Sequence, residues 1–400
     1  MNKRVIFHID VNNAFLSWTA VKFLKEGYKI DIRTIPSIIG GDESKRHGIV
    51  LAKSPVAKKY GIKTAETIYS ARKKCKNLRI YSSDYDYYYD TSKKLFKYLS
   101  MYSPDMEQLS VDECFLDMSN TSYLYDNLID LAYKIKDEIY NKFGFTVNIG
   151  IGNNKLCAKM ASDFEKPNKV HTLFEEEVKD KMWPLPVNDL FMVGRKSTER
   201  LELLGIKTIG DLAKTDINFL KKHFKSFGIT MWEYANGIDN SKVINEYEIN
   251  KCISVSETFE VDVDNINRLK KTLLEQTEKV TKQLRKQNCY ATTVAVTIKT
   301  YDFKNFSKQA KLNSATDITN EIYEKVINIF ENFWDGTKIR NIGVRLSNFT
   351  DHCDRQLSLF DSYNEKDHDL QKTLDNIKDK FGTNILMPAS LLEKDKDSNN

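Results

Sequence analysis

The sequence lacks the marks of several large classes of protein. It contains no run of about 18 apolar residues, which excludes a membrane-spanning helix. The N-terminal segment reaches Asp10 too soon for a secretory signal peptide. The six cysteines are scattered and form no CxxC pair, which is typical of reduced thiols. No internal repeat and no low-complexity tract is present. These absences predict a cytoplasmic protein without a membrane partner.

A strong excess of one charge is also missing. The chain has 61 basic and 56 acidic residues, which gives a net charge of +5. This excess permits a polyanionic partner without requiring one, because a local basic face matters more than the total. A hydrophobic fraction of 41% excludes wholesale disorder, and the length of 400 residues predicts more than one domain.

Hydrophobic patterning predicts a mixed α/β sheet in the first part of the chain and a second α/β domain near its end. The first part is predicted to have strands at 4–10, 47–52, 109–118 and 145–151, and helices at 14–26, 55–60, 85–102 and 128–143. From about 187, glycines separate short helices, and residues 240–250 are predicted to be a linker. Residues 252–348 follow the order βαββαβ, and an amphipathic helix comes after them.

Two acidic points lie on predicted strands that are far apart in sequence. Asp10 ends the first strand, and Asp112 and Glu113 lie in the middle of strand 109–118 or at a tight hairpin within it. An ionised carboxylate in an apolar strand is costly unless it is paired or binds a metal. Three carboxylates at one sheet edge could hold two Mg²⁺ ions for an in-line phosphoryl displacement. The alternative is that they face solvent at strand ends.

Basic residues follow two of the predicted turns. Lys155 and Lys159, with Lys166 beyond them, lie after strand 145–151 and could bind triphosphate oxygens, or form only a solvated helix face. Gly194-Arg195-Lys196 opens a short helix whose backbone N–H groups could bind a phosphate, or which belongs to an ordinary helical hairpin.

The second α/β domain carries lysines interleaved with aromatic residues. Lys304, Phe306 and Lys308 are predicted to share one strand face, which could follow a phosphate backbone. The alternative is a solvated sheet face. The residues of this basic segment are Lys299, Tyr301, Phe303, Lys304, Phe306, Lys308 and Lys311.

Taken together, these motifs resemble those of the Y-family DNA polymerases, the translesion class. The similar stretches occur in the family's order along most of the chain: 8–15, 57–61, 109–117, 150–155, 158–168, 193–212 and 251–259. The resemblance implies an α/β multidomain fold. Its parts are a ferredoxin-like palm (1–30 and 77–170), small fingers (31–76), a helix-hairpin-helix thumb (171–239), a linker (240–250), a βαββαβ little finger (251–350) and a C-terminal tail (351–400).

The resemblance also implies roles for single residues. Asp10, Asp112 and Glu113 would be the catalytic carboxylates that bind two Mg²⁺ ions, with the carbonyl of Val11 as a further ligand. Phe15 would be the steric gate against a ribose 2′-hydroxyl. The implied triphosphate and DNA contacts are Lys58 and Lys166 for the nucleotide, and Gly194, Arg195, Lys196, Lys299, Lys304, Lys308 and Lys311 for DNA.

Four positions depart from the family's usual pattern. Pro55 stands where a tyrosine is usual, so one hydroxyl contact to the triphosphate is missing. Asn13 and Ala14 replace bulkier residues beside the gate, and Gly152 replaces a common serine. These changes bear on nucleotide affinity and on the rigidity of the gate.

The implied activity is error-prone, lesion-bypassing DNA synthesis from deoxynucleoside triphosphates on a primer–template, by a monomer. Two alternatives stay open. A nucleotidyl cyclase on a similar palm would also use paired carboxylates and two metals, but would need neither a thumb nor a basic second domain. A non-catalytic DNA-binding paralogue would not need all three carboxylates.

One apolar cluster lies between the little finger and the tail helix. An exposed cluster in a connector usually marks an interaction site. The segment resembles the peptide by which bacterial polymerases bind the sliding clamp, with a glutamine at the rim of the pocket and apolar side chains in its cleft. The alternative is that the cluster packs back on the little finger. Its residues are Gln356, Leu357, Leu359 and Phe360.

Overall fold

The computed structural model describes residues 4–41, 48–245, 251–351, 365–382, 385–386 and 388. These residues form two compact units, the first ending before residue 248 and the second following it. None of the described helices combines the length and the apolar character that a membrane span requires.

The first unit contains eight strands and ten α-helices in its described part, besides short 3-10 and π-helical turns. The strands are β1 Ile6–Val11, β2 Ser37–Gly40, β3 Val50–Lys53, β4 Arg79–Tyr81, β5 Met106–Gln108, β6 Glu113–Asp117, β7 Val147–Gly152 and β8 Val170–Leu173. The helices are α1 Ala14–Lys25, α2 Pro55–Lys59, α3 Ile68–Lys74, α4 Tyr85–Leu99, α5 Leu128–Phe143, α6 Lys155–Asp163, α7 Arg195–Leu203, α8 Ile209–Lys214, α9 Ile217–Phe224 and α10 Ser226–Ala235.

The central sheet has the order β5-β6-β1-β7-β8. Strand β1 lies in its middle, pairs antiparallel with β6 and β7, and is buried along its whole length. Continuous apolar sequence is typical of a strand covered on both faces. Phe7, Ile9 and Trp18 belong to the main core of this unit, together with side chains of α4 and α5. The apolar run at 4–10 therefore predicts the right element in the right environment.

Glycines in β7 let α6 approach the other face of the sheet. A Cβ atom at Gly150 would overlap the carbonyl oxygen of Ala158, and one at Gly152 would lie 2.7 Å from the backbone nitrogen of the same residue. Only glycine permits such a close backbone approach. The helix is therefore held directly over β1 and β7, with Lys159 and Asp163 along it.

Only the second half of the predicted strand at 109–118 is a strand in the structure. Strand β5 ends at Gln108, the chain turns, and β6 begins only at Glu113. The tight-hairpin alternative is therefore correct, and Asp112 is the last residue of the turn. The strands β2, β4 and β8 are too short for periodicity to reveal them.

A smaller sheet of the order β3-β2-β4 forms a separate core with α2 and α3. Helix α2 begins where the sequence predicts, because the side chain of Ser54 accepts a hydrogen bond from the backbone N–H of Ala57 and Pro55 occupies the first turn. Helices α7–α10 surround a third core, which includes Leu201, Leu212 and Leu220.

The second unit is an antiparallel sheet of the order β11-β10-β12-β9, packed against helices. Its sequence order is βαββαβ, as the sequence predicts, and a further helix follows. The elements are β9 Cys252–Val263, α11 Ile266–Lys286, β10 Tyr290–Thr300, β11 Asn305–Thr316, α12 Thr319–Glu331, β12 Ile339–Thr350 and α13 Glu365–Phe381.

Ion pairs fasten α13 to this unit. Arg285, which is 5% exposed in its side chain, forms a two-point contact with Asp375, with distances of 2.6 Å from Nε to Oδ2 and 3.2 Å from Nη2 to Oδ1. Its Nη1 donates to the carbonyl of Asp317 at 2.7 Å. Lys282 and Lys286 pair with the more exposed Asp379.

We expect Asp375→Ala to release α13 from α11. The substitution leaves the buried guanidinium of Arg285 without its carboxylate, and a hydrogen bond to a charged group contributes about 1.5–3 kcal/mol. Hydrogen exchange of the α13 amides should accelerate about tenfold or more. Asp379→Ala removes the two pairs of a carboxylate that is about half exposed, with Lys282 and Lys286, and should change exchange less, so equal effects of the two variants would contradict this account.

Candidate active site

The three predicted carboxylates lie at one end of the central sheet. Asp10 is paired with Glu113 across β1 and β6. The backbone N–H of Val11 donates to the carbonyl of Asp112 at 3.0 Å, which closes the turn against the end of β1. The two acidic motifs, distant in sequence, are thus brought to the same end of the sheet by the backbone.

Glu113 is ionised by its surroundings. Its Oε2 lies 3.2 Å from Nε2 of His8 and accepts a hydrogen bond from Nζ of Lys159 at 2.7 Å. Burial opposes the charge, but His8 and Lys159 outweigh it and hold the pKa of Glu113 at about 2. His8 itself is fully buried, which lowers its pKa and favours a neutral ring.

Asp10 and Asp112 differ in their neighbours. Asp10 is paired with Lys166, whose Nζ is also 2.8 Å from Oδ1 of Asp163. Asp112 accepts a hydrogen bond from Ser110 at 2.6 Å. Burial, with the negative charges of Asp10 and Glu113, raises the pKa of Asp112. No described lysine or arginine is paired with Asp112.

The site fits a divalent cation by charge and donor type. Within the described part of the chain, no three acidic, histidine or cysteine side chains already converge as a metal cluster. Lysine ammonium groups lie against Asp10 and Glu113 instead. A third, partly buried carboxylate, Asp112, is left with repulsion from the other two. The three carboxylates thus outnumber the two lysines beside them, and carboxylate oxygens are the donors that Mg²⁺ prefers.

Asparagines hold the lysine-bearing loop near Asp10. Asn12 donates to Oδ1 of Asn148 at 3.1 Å, and its own Oδ1 accepts from the backbone N–H of Asn168 at 2.9 Å. This bridge fixes the loop that carries Lys166 beside β1. Sequence patterns alone do not reveal it, because the two asparagines are 136 positions apart.

Phe15 lies on α1 within a group of aromatic rings. Its ring is stacked on that of Tyr88 with centroids 4.7 Å apart and planes at 14°, and Tyr85 packs edge-on at 6.2 Å. The Tyr88 hydroxyl is 2.7 Å from that of Thr19. The sequence indicates this support only as a tyrosine-rich helix.

Lys58 is exposed on α2, the helix that packs on the smaller β3-β2-β4 sheet of the first unit. Burial, together with the charge of Lys58, lowers the pKa of nearby Lys53. Two adjacent ammonium groups attract an anion. Pro55 begins the same helix and has no hydroxyl to add to them.

The predicted DNA contacts of the helical region lie at the start of α7. Gly194 is the N-cap residue, with φ −85° and ψ 170°, and the side chain of Arg195 is 88% exposed. Lys196 is also exposed. A helix N-terminus with basic side chains suits a phosphate.

The register of the second unit corrects one prediction. Lys304 precedes β11 and is paired with Asp302 at 2.8 Å, so it does not belong to the strand face that Phe306 and Lys308 share. Lys308 lies opposite buried Val296, on the face that carries the core.

Another basic face exists on the same sheet. Lys311 lies opposite Thr293 and Lys299 opposite Asn305, and directly opposed residues of an antiparallel pair share a face. Arg345, opposite Ala295, joins this second face, although no sequence motif indicates it. The four predicted lysines are thus divided between two faces and a turn.

The proposed clamp-binding residues Gln356, Leu357, Leu359 and Phe360 lie outside the described residues.

Comparisons with known proteins agree along the whole chain. Residues 9–163 match the impB/mucB/samB family, residues 250–359 the impB/mucB/samB family C-terminal domain, and residues 175–206 the IMS family HHH motif. DNA polymerase IV of Clostridium acetobutylicum is 47% identical over 394 residues, which are 98% of this chain and 99% of that protein. DNA polymerase IV 2 of Bacillus subtilis is 34% identical over 98% of this chain and 95% of its own length.

A solved structure supports the fold. A Y-family DNA polymerase chimera of Dbh and Dpo4 superposes with a TM-score of 0.75, at 23% identity, over 87% of this chain and 100% of its own. With the helix-hairpin-helix match and the separate antiparallel sheet, this confirms the predicted multidomain α/β fold.

Proposed function

The chain belongs to the impB/mucB/samB family and is a DNA-directed DNA polymerase of the error-prone, translesion class, and we propose that Asp10, Asp112 and Glu113 carry its reaction with two Mg²⁺ ions. The supporting observation is that Asp10 and Glu113 are directly opposed at the end of β1, that both charges act on neighbouring Asp112, and that Lys159 and Lys166 lie beside them.

In the proposed reaction, the oxygen of a primer 3′-hydroxyl bonds to the α-phosphorus of a deoxynucleoside triphosphate. The bond from that phosphorus to the bridging oxygen breaks, pyrophosphate leaves with the bonding electron pair, and the proton of the hydroxyl passes to solvent water. When bound, Mg²⁺ supplies charge stabilisation to the attacking and leaving oxygens. The three carboxylates and the carbonyl of Val11 would hold the ions.

The remaining residues bind and orient the substrates. Lys166 is within reach of Asp10 and would turn to the triphosphate once a metal neutralises that carboxylate. Lys58, with Lys53 beside it, adds positive charge from α2. Phe15, packed on Tyr88, presents a fixed ring to the sugar.

We propose that the domains follow the family plan. The palm is residues 1–30 and 77–170, the fingers 31–76, the thumb 171–239 and the little finger 251–350. The thumb and the little finger bind primer–template DNA through α7 and through the basic faces of the second unit. The protein acts as a monomer in the cytoplasm.

A primer-extension assay tests this proposal. Purified protein, a labelled primer–template, Mg²⁺ and the four deoxynucleotides should yield products that match the template, both opposite intact bases and opposite a damaged base. Formation of a cyclic nucleotide without extension would indicate the cyclase alternative. Binding to DNA without any nucleotide chemistry would indicate a non-catalytic paralogue. Either result would overturn the proposal.

The proposed clamp contact gives a separate prediction. Replacing Leu359 and Phe360 together by alanine should leave distributive extension of short primers intact and abolish the gain in processivity from a loaded sliding clamp. A short apolar peptide should bind with micromolar affinity, since each buried anchor contributes about 2–3 kcal/mol before its ordering cost. Clamp stimulation is measured as product length. If the clamp stimulates the double variant as much as the parent, the segment is not the clamp contact.

A further inference from the structure

A buried histidine lies directly behind one of the proposed metal ligands. His8 is two residues before Asp10 on β1 and has no exposed surface. Its ring packs against that of Phe115, with centroids 4.8 Å apart. A histidine in such an apolar setting needs a partner for each ring nitrogen, because an unpaired buried polar group is costly.

Nδ1 has a hydrogen-bond partner, and Nε2 is in close contact with a carboxylate oxygen without a well-aligned hydrogen bond. Nδ1 lies 2.8 Å from Oγ of Ser162, and Nε2 lies 3.2 Å from Oε2 of Glu113. A carboxylate has no proton to give, so the contact with Glu113 is attractive when Nε2 carries the ring proton. Nδ1 is then the acceptor for the hydroxyl of Ser162, which also lies 2.7 Å from the carbonyl of Lys159 and has a single proton to donate. The ring is thus held from two sides, by the helix α6 and by the strand β6.

These contacts also distinguish the two carboxylate oxygens of Glu113. Both the contact from His8 and the hydrogen bond from Lys159 go to Oε2. Of the described side chains, none is recorded in polar contact with Oε1. An ion that binds Glu113 therefore finds one oxygen free and the carboxylate already fixed in orientation.

The close packing of α6 makes this arrangement possible. Gly150 lies opposite His8 across β1 and β7, and a side chain there would displace the backbone of α6. Ser162 could then not reach the histidine.

We propose that His8 is a positioning residue: through the 3.2 Å contact of Nε2 with Oε2 it orients Glu113 for metal binding, with Ser162 fixing the ring. This inference rests on the proposed function, because it assumes that Glu113 binds a metal. Groups that orient metal ligands are commonly worth 10–100-fold in metal affinity. A histidine that only filled the core would affect stability and not the affinity for metal.

The test compares His8→Phe, which keeps a packed ring without nitrogens, with His8→Gln, which keeps a donor amide. His171→Phe is the matched control: it lies on β8, opposite the same Gly150 from the other side, with no recorded polar contact to the described carboxylates. Ser162→Ala removes only the hydroxyl that holds the ring.

Two quantities are measured for each variant of the full chain. The first is the Mg²⁺ concentration that gives half-maximal primer extension. The second is the dissociation constant of Mn²⁺, which does not depend on turnover. It is measured by electron paramagnetic resonance on the complex of the protein with a dideoxy-terminated primer–template and a deoxynucleotide. A melting curve reports folding.

His8→Phe should raise the Mg²⁺ midpoint and the Mn²⁺ dissociation constant about tenfold. His8→Gln should lie closer to the parent, Ser162→Ala should raise the Mn²⁺ constant severalfold, and His171→Phe should leave it unchanged. Should His8→Phe fail to fold, Ser162→Ala and His8→Gln decide the matter.

Parental Mn²⁺ affinity in the folded His8 and Ser162 variants overturns the role of His8, even if their melting temperatures fall. The proposed function is judged separately. If the parent protein does not extend a primer at any Mg²⁺ concentration, the polymerase proposal itself fails. If the parent extends normally and the variants bind Mn²⁺ as tightly as the parent does, only the positioning role fails.

Discussion

Asp112→Ala should slow primer extension at least a thousandfold, which corresponds to about 4 kcal/mol of transition-state stabilisation. Asp112 is partly buried, is repelled by Asp10 and Glu113, and has no cationic partner among the described side chains. A cation bound there would relieve that repulsion, so the alanine variant loses a ligand whose charge nothing else on the turn replaces. Single-turnover extension on a short primer–template measures the loss.

Binding of the primer–template should survive this substitution, because α7 and the second unit are proposed to make those contacts. Asp117→Ala is the matched control: Asp117 ends β6, the strand that begins directly after Asp112, and is paired with Arg4 at 3.5 Å. That variant should extend primers at close to the parental rate. Near-normal extension by Asp112→Ala would remove the three carboxylates from the reaction.

Elements with strong local signals are the ones that the sequence predicts well. The apolar run before Asp10 becomes the central strand, and the amphipathic pattern at 128–143 is α5 with the same bounds, closed by Gly144 in the left-handed conformation with φ 80°. In each case several consecutive residues follow the same hydrophobic pattern, so one atypical residue does not change the prediction. Strands of three or four residues, such as β4, give no period and are missed.

Contacts between distant segments set the rest, and periodicity does not carry them. The contact of His8 with Glu113 depends on the register of β1 with β6 and on the approach of α6 permitted by Gly150. The stacking of Phe15 on Tyr88 joins two helices 73 positions apart in sequence. Neither follows from the residues beside it in the chain.

Register also explains the one predicted surface that the structure divides. Side chains alternate between the two faces of a strand, so the start of β11 decides which lysines lie together. The strand begins at Asn305, and Lys304 turns to Asp302 instead. Arg345 reaches the face of Lys311 and Lys299 only because β12 lies beside β10 in the sheet.

Phe15→Ala should admit ribonucleotides while retaining some incorporation of deoxynucleotides. The ring of Phe15 is held by stacking on Tyr88 and by the edge of Tyr85, so it does not move aside at low cost. A 2′-hydroxyl that meets such a ring is rejected by steric overlap. We expect the ratio of ribonucleotide to deoxynucleotide incorporation to rise about a hundredfold, or about 2.7 kcal/mol. The ratio is measured from kcat/KM for matched nucleotides.

Two residues beside Phe15 are smaller than is usual in the family, so the ring depends on its aromatic neighbours for support. Asn13 and Ala14 give α1 little bulk next to Phe15, so Tyr88 supplies the support. Phe96→Ala is the control, because Phe96 is a buried ring of the same core that has no place beside the nucleotide. It should cost about 3–5 kcal/mol of stability and leave sugar selectivity unchanged. If Phe15→Ala behaves as Phe96→Ala does, with a lower melting temperature and an unaltered ratio, Phe15 is a core residue and the sugar is discriminated elsewhere.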